Sequence, residues 1–109
     1  MFTRDFAAEA AGYQAVLTEI RRELHQIPEF GINLPKTRER ILASIHGLGE
    51  IHLSERQSSI VLHIKGALPG PTVLLRADMD ALAVTEATGL DFASTNGYMH
   101  ACGHDLHMA

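Results

Sequence analysis

Nine residues near the end of the sequence, Met99-His100-Ala101-Cys102-Gly103-His104-Asp105-Leu106-His107, gather a thiol, three imidazoles and a carboxylate. Cys102 is the single cysteine, and three of the seven histidines lie in this stretch. Side chains at i and i+2 share a face of an extended backbone, so Cys102 and His104 can point the same way. Thiolate and imidazole are preferred ligands of zinc and its first-row neighbours. Gly103 between them allows a loop to bend tightly around an ion. Taken singly, a cysteine is usually a small core hydrophobe and a histidine an ordinary core or surface group. Five metal-competent or titratable side chains in nine residues, spaced by apolar residues, point instead to a metal or catalytic site.

A second candidate pair stands upstream. Asp78 and Asp80 follow Thr72-Val73-Leu74-Leu75, a continuous apolar run of the kind that forms a strand covered on both faces. Ligands of open α/β sheets bind beyond the carboxyl ends of strands, and an extended backbone would aim both aspartates the same way. Aspartates after a strand are also common turn formers, so position alone leaves the two readings level.

The elements that must hold these residues are legible as patterns. Phe6, Ala10, Tyr13, Leu17, Ile20, Leu24 and Ile27 make one apolar stripe at helical spacing, which predicts a first helix with its stripe in the core. Thr3 or Asp5 caps its start and Pro28 ends it. Arg21, Arg22 and His25 fall on its last turns, where cations complement the helix dipole. Pro35 opens a second helix, predicted over Pro35 to Leu48, with Ile41, Leu42, Ile45 and Leu48 inward. Two strands are expected next, around Ile51–Leu53 and Ile60–Ile64, joined by Glu55-Arg56-Gln57-Ser58. His52 and His63 read as solvent-facing strand residues. Pro69-Gly70-Pro71 marks a turn, residues 86–97 an irregular connection, and Leu106–Ala109 the opening of a last helix.

Composition narrows the class. A length of 109 residues suits one domain at most, and 46% hydrophobic residues with a mean hydropathy of +0.02 suit a globular chain. A net charge of −4 without a basic patch argues against nucleic acid and anionic lipid. One cysteine precludes an internal disulfide framework and favours a reducing compartment. The start, Met1-Phe2-Thr3-Arg4-Asp5, lacks the apolar character of a signal peptide, and no stretch approaches a membrane span. The expected location is cytoplasmic.

Met99-His100-Ala101-Cys102-Gly103-His104-Asp105 resembles the signature of the M20 metallopeptidase family, in its branch of N-acyl-amino-acid amidohydrolases, hippurate hydrolases and indole-acetyl-amino-acid hydrolases. Two further blocks resemble the same branch in the same order: Arg21-Arg22-Glu23-Leu24-His25-Gln26-Ile27-Pro28-Glu29-Phe30-Gly31, and Leu74-Leu75-Arg76-Ala77-Asp78-Met79-Asp80-Ala81-Leu82 followed by Glu86-Ala87-Thr88-Gly89-Leu90. The resemblance implies an α/β fold, with residues 1–109 the N-terminal portion of a three-layer α/β/α catalytic domain. Two helices would precede a mixed sheet, and the lid or dimerisation domain would be absent. It implies hydrolysis of the amide bond of N-acyl amino acids or related small amides and peptides. It also implies a centre of two divalent ions (zinc, manganese, cobalt or nickel) and a homodimer for the complete enzyme. Cys102 and His104 inherit metal ligation, with Cys102 where other branches place a bridging carboxylate. Asp80 inherits an orienting role beside the metals. Asp78 stands where other branches use a metal-binding histidine, and its role stays open. His100, Asp105 and His107 would shape the site or serve as plain structure. For His25 and Glu29 the resemblance suggests a structural corner without assigned chemistry. Ala83 replaces the proline usual after Asp-Ala-Leu.

The general base and the remaining ligands of the resembled family lie beyond the signature, and neither Glu55 nor Glu86 sits in the matching motif. The isolated chain is therefore expected to bind metal weakly, to turn over little, and to expose apolar surface. Two rival readings remain. One is a non-enzymatic metal-binding or interaction fragment; the other is a hydrolase with Cys102 as nucleophile and a nearby histidine as base.

Overall fold

The computed structural model describes residues 3–109; Met1 and Phe2, the start of the segment read above against a signal peptide, lie outside them. The order of elements is α1 (Phe6–Gly12), α2 (Gln14–Gln26), α3 (Pro35–Ile45), β1 (Glu50–Leu53), β2 (Ile60–His63) and α4 (His104–Met108). The chain is α/β.

The single first helix expected from the stripe is two helices. Asp5 caps α1, its Oδ1 accepting from the Ala8 amide at 3.0 Å. Gly12 costs helix stability through its backbone freedom, and the ladder breaks beside it. Tyr13 closes α1 with a bond from its N–H to the Ala10 carbonyl, and its own carbonyl restarts the ladder by accepting from Leu17. The N-terminal half of the stripe is not core: Phe6 is 71% and Tyr13 61% exposed, whereas Leu24, near the end of α2, is 1% exposed. The stripe finds cover only where α2 packs on α4.

Pro35 opens α3 as expected, but the helix stops at Ile45, three residues short of Leu48. The Leu48 amide bonds the Ile45 carbonyl around Gly47, whose φ is +78°, and Leu48 is left exposed. Leu34 offers no side-chain cap. Glu29 supplies one from the preceding corner, its Oε1 accepting from the Thr37 amide at 2.7 Å and the Thr37 hydroxyl at 2.8 Å.

β1 and β2 form an antiparallel pair in the register Glu50↔His63, Ile51↔Leu62, His52↔Val61, Leu53↔Ile60. The turn falls at residues 54–59, over the polar segment that predicted it. A side chain at Gly49 would collide with the His63 carbonyl, so glycine is what lets the chain enter β1. His52 and His63 face solvent, as read from the alternation.

The expected strand at Thr72–Leu75 does not form among the described residues. Val73, Leu74 and Leu75 are 81–92% exposed and pair with no strand. A strand of that kind needs a neighbour on each edge and a layer on each face. The β1–β2 hairpin is a two-stranded sheet with both outer edges open, and neither strand pairs with residues 72–75.

What is buried is mostly polar. Leu24, Pro28, Leu34 and Ala81 are the buried apolar side chains among the described residues, beside His25, Thr37, Ser58, Ser94, His100 and Asp105. This core lies where the end of α2, the 28–37 corner, Ala81 and α4 meet. No helix among the described residues is long and apolar enough to cross a membrane.

Candidate metal centre

Two backbone bridges and one side-chain bond join the aspartate segment, the 28–30 corner and the approach to the cysteine–histidine loop. The Ala81 amide donates to the Glu29 carbonyl at 2.7 Å, giving a parallel bridge between Phe30 and Ala81. Leu82 and Met99 exchange two bonds, N–H to O=C, at 2.9 and 3.0 Å in an antiparallel bridge. The Asn96 side-chain Nδ2 donates to the Pro28 carbonyl at 2.8 Å. Residues 78–80 and 100–104 are thereby brought side by side, although 24 positions separate Asp80 from His104.

His104 is the focus of the pair. It opens α4, and Gly103 before it adopts φ +93°, the left-handed conformation that favours glycine. The His104 Nδ1 lies 2.7 Å from the Asp80 carbonyl oxygen and 3.1 Å from Asp80 Oδ1. Two acceptors facing Nδ1 place the ring proton there and leave the Nε2 lone pair free. Asp78 Oδ2 stands 3.9 Å from that Nε2, while Asp78 Oδ1 accepts from Arg76 at 2.7 Å. Asp78 and Asp80 thus both turn toward His104. A metal-ligating histidine normally has its second nitrogen held by a carbonyl or carboxylate, and Nδ1 of His104 faces both.

Cys102 is exposed and carries a free thiol. Among the described residues no hydrogen bond links it to a histidine, and no group of three or more His, Cys, Asp or Glu side chains is placed to hold a metal. A catalytic zinc ion takes three protein ligands and keeps one open position. The donors present, one thiol and one imidazole with a free nitrogen, fit part of such a centre and not a whole one.

The other named residues sit around this pair. His107 lies exposed on the last turn of α4. His100 is buried, and neither ring nitrogen has a hydrogen-bond partner. Burial pushes its imidazole below the ordinary value; His25 and His104 add to that effect, while Asp105 and Asp80 oppose it. Asp105 is fully buried and turned away from His104's partners, toward α2. Its Oδ2 lies 2.7 Å from His25 Nδ1 and 2.8 Å from Arg21 Nε, and its Oδ1 accepts from the Leu106 amide.

Sequence reasoning passed over that second cluster. His25 Nε2 lies 2.7 Å from Glu86 Oε1, so one ring bridges two carboxylates. Glu86 also accepts from the Ser94 amide and the Thr88 hydroxyl. Burial raises the Glu86 carboxyl, but its hydrogen bonds from Thr88, Ser94 and His25 together hold it below 4.5. Arg21 and Arg22 do more than complement the helix dipole. Both guanidinium groups lie over the Phe92 ring, and Arg21 pairs with Asp105. Partners 61 and 80 positions apart leave no local signal; only the presence of His25 and Glu86 within two of the resembling blocks hinted at a role.

The model of Peptidase family M20/M25/M40 matches residues 74–109, the segment that holds Asp78, Asp80, Cys102 and His104. The chain is 47% identical over 96 residues to an N-acetyldiaminopimelate deacetylase of Lactococcus lactis, and 50% identical over 93 residues to that of Listeria welshimeri. These alignments cover 84% and 83% of this chain but 26% and 25% of the relatives. The fold is similar to that of a dinuclear metal-binding M20 peptidase from Bacillus subtilis, with a TM-score of 0.80 and 37% identity over 90% of this chain and 28% of that one. The chain thus carries a match to the M20/M25/M40 family over residues 74–109 and is similar in fold to an M20 peptidase over most of its own length. It spans about a quarter of the length of the curated relatives it matches. The α/β reading and the incompleteness of the layered fold expected from the M20 resemblance both stand. Of the mixed sheet, the described residues hold one antiparallel pair and the parallel Phe30–Ala81 bridge.

Proposed function

We propose that this chain supplies Cys102 and His104 to the two-metal centre of a hydrolase that cleaves the amide bond of an N-acyl amino acid. The relatives point to removal of an acetyl group from an N-acetylated diamino acid of the diaminopimelate type. The observation that carries the reading is the His104 ring, whose Nδ1 is committed to Asp80 and whose Nε2 is left free for a cation.

When bound, a divalent ion polarises the amide carbonyl and lowers the pKa of a bound water toward neutrality. The chain's own residues do the rest of what falls to them here. Asp80 fixes the tautomer and the plane of His104 through its carbonyl and its carboxylate. Asp78 places negative charge beside Nε2, which favours a cation there. Gly103 allows the turn that sets Cys102 before the first residue of α4. His100 keeps a neutral ring buried behind the loop. The proton carrier and the further ligands come from outside these 109 residues, so the chain alone turns over little. The complete enzyme is a cytoplasmic homodimer acting on a small molecule.

Of the two rivals, the thiol nucleophile is the weaker, because Cys102 lacks the hydrogen bond to a histidine that would activate it. A fragment that binds metal without catalysis is separated by a chimaera. Residues 1–109 replace the matching quarter of the Lactococcus lactis deacetylase, and acetate release from N-acetyldiaminopimelate is measured. The chimaera is expected to be active, to lose activity to a chelator, and to lose it again on Cys102→Ala. A folded, metal-loaded chimaera that releases no acetate would contradict the reading.

A further inference from the structure

The deepest polar feature of the molecule is the His25 cluster, and the site described above makes no use of it. Its geometry favours donation from both ring nitrogens. Each nitrogen of the His25 ring faces a carboxylate oxygen at 2.7 Å. The other neighbours of both carboxylates are donors or cations: Arg21 and the Leu106 amide on Asp105, the Ser94 amide and the Thr88 hydroxyl on Glu86. An ionised carboxylate only accepts, so both ring nitrogens must donate. The four groups then balance, with Arg21 and His25 positive and Asp105 and Glu86 negative. A buried charge without such pairing would be too costly to keep.

Balance alone would make the cluster plain structure. Its connections suggest more. Asp105 follows His104 directly, and its Oδ1 accepts from the next amide, so the first turn of α4 hangs from this carboxylate. The other end of the ring reaches Glu86, four residues beyond the Leu82–Met99 bridge that aligns the aspartates. His104 is therefore held from two directions: its ring by Asp80, and its backbone by Asp105 through His25.

We propose that His25 is a doubly protonated clamp between Asp105 and Glu86, and a positioning residue that sets the orientation of His104 for metal. This inference rests on the metal reading above for its purpose, though not for its geometry. It predicts that Glu86, which touches neither His104 nor α4, controls the His104 ring at a distance.

Long-range proton–nitrogen NMR of the 109-residue chain tests it without metal. In the wild type, both His25 ring nitrogens carry protons, and His104 is a single tautomer protonated at Nδ1. In His25→Gln and in Glu86→Ala, His104 becomes a mixture of tautomers. A glutamine amide cannot donate in two opposite directions, so it cannot replace the ring. Cobalt(II) titration, followed by the thiolate-to-cobalt absorption of Cys102, should weaken about tenfold in both variants. A His25 ring with one proton in the wild type overturns the clamp, whether or not the variants fold. So does an unmoved His104 tautomer in either folded variant. If the wild type gives no thiolate-to-cobalt band, the metal reading fails while the NMR result still decides the clamp.

Discussion

Two regions of this molecule differ in what they bury and what they leave open. Where α2 meets α4, the interior holds Arg21, His25, Glu86 and Asp105, joined by ion pairs. Around β2 and residues 64–75, the surface is apolar and open. Ile64, Leu68, Val73, Leu74 and Leu75 are 61–92% exposed, and with Ile41, Ile45, Ile60 and Met108 they line a wide cleft of about 1180 Å³. The first region is complete within the chain, whereas the second has side chains suited to burial and nothing packed on them. The contrast teaches that the loop of Cys102 and His104 is fixed by electrostatics and hydrogen bonds rather than by a hydrophobic core. Buried pairs of this kind cost much to break and give geometry in return.

The largest expected effect therefore falls on His25. Replacing it with alanine leaves Asp105 and Glu86 buried without the ring that joined them. The loss should be about 3–5 kcal/mol in urea unfolding, near the whole stability of a chain this size. If His25→Ala and Leu74→Ala prove equally mild, the contrast between the two regions is wrong.

Acid should loosen the charged region by a predictable route. The Glu86 carboxyl sits below 4.5 in the folded chain and titrates at its ordinary value when unfolded. Its contribution is complete above about pH 4.5 and is lost as the pH falls through the lowered folded value. Urea midpoints measured from neutrality into that range should fall less for Glu86→Gln than for the wild type. An unchanged acid dependence would remove Glu86 from the account.

A smaller effect belongs to the α3 cap. Glu29→Ala strands the Thr37 amide and hydroxyl and should cost about 1 kcal/mol, read in the same unfolding experiment. The smallest belongs to the open side. Leu74→Ala or Leu75→Ala should shift stability by no more than about 0.5 kcal/mol, because both side chains are already in water. The same substitutions should reduce self-association in light scattering, since they remove exposed apolar surface.

Much of this was legible in sequence wherever the deciding interaction is local. The Asp5 cap, Pro35 at the start of α3 and the polar turn between β1 and β2 all rest on neighbours within a few residues. The split at Gly12 was missed because an apolar stripe reports which face could be buried, not whether anything covers it. Thr72–Leu75 was misread for the same reason: four apolar residues in a row signal a strand's composition but not its partners. The His25 cluster was illegible because its members come from three separate segments. The resembling blocks carried His25 and Glu86 into view, yet only the fold shows that one ring joins them to Asp105.

Zinc-edge X-ray absorption of the chain loaded with one equivalent of zinc tests the central claim most directly, since it reads which atoms surround the ion. The account predicts one sulfur near 2.3 Å and imidazole nitrogen near 2.0–2.1 Å. The sulfur should vanish in Cys102→Ser and the imidazole contribution should drop in His104→Ala. A shell of oxygen and nitrogen without sulfur in the wild type, or an imidazole contribution untouched by His104→Ala, would contradict it.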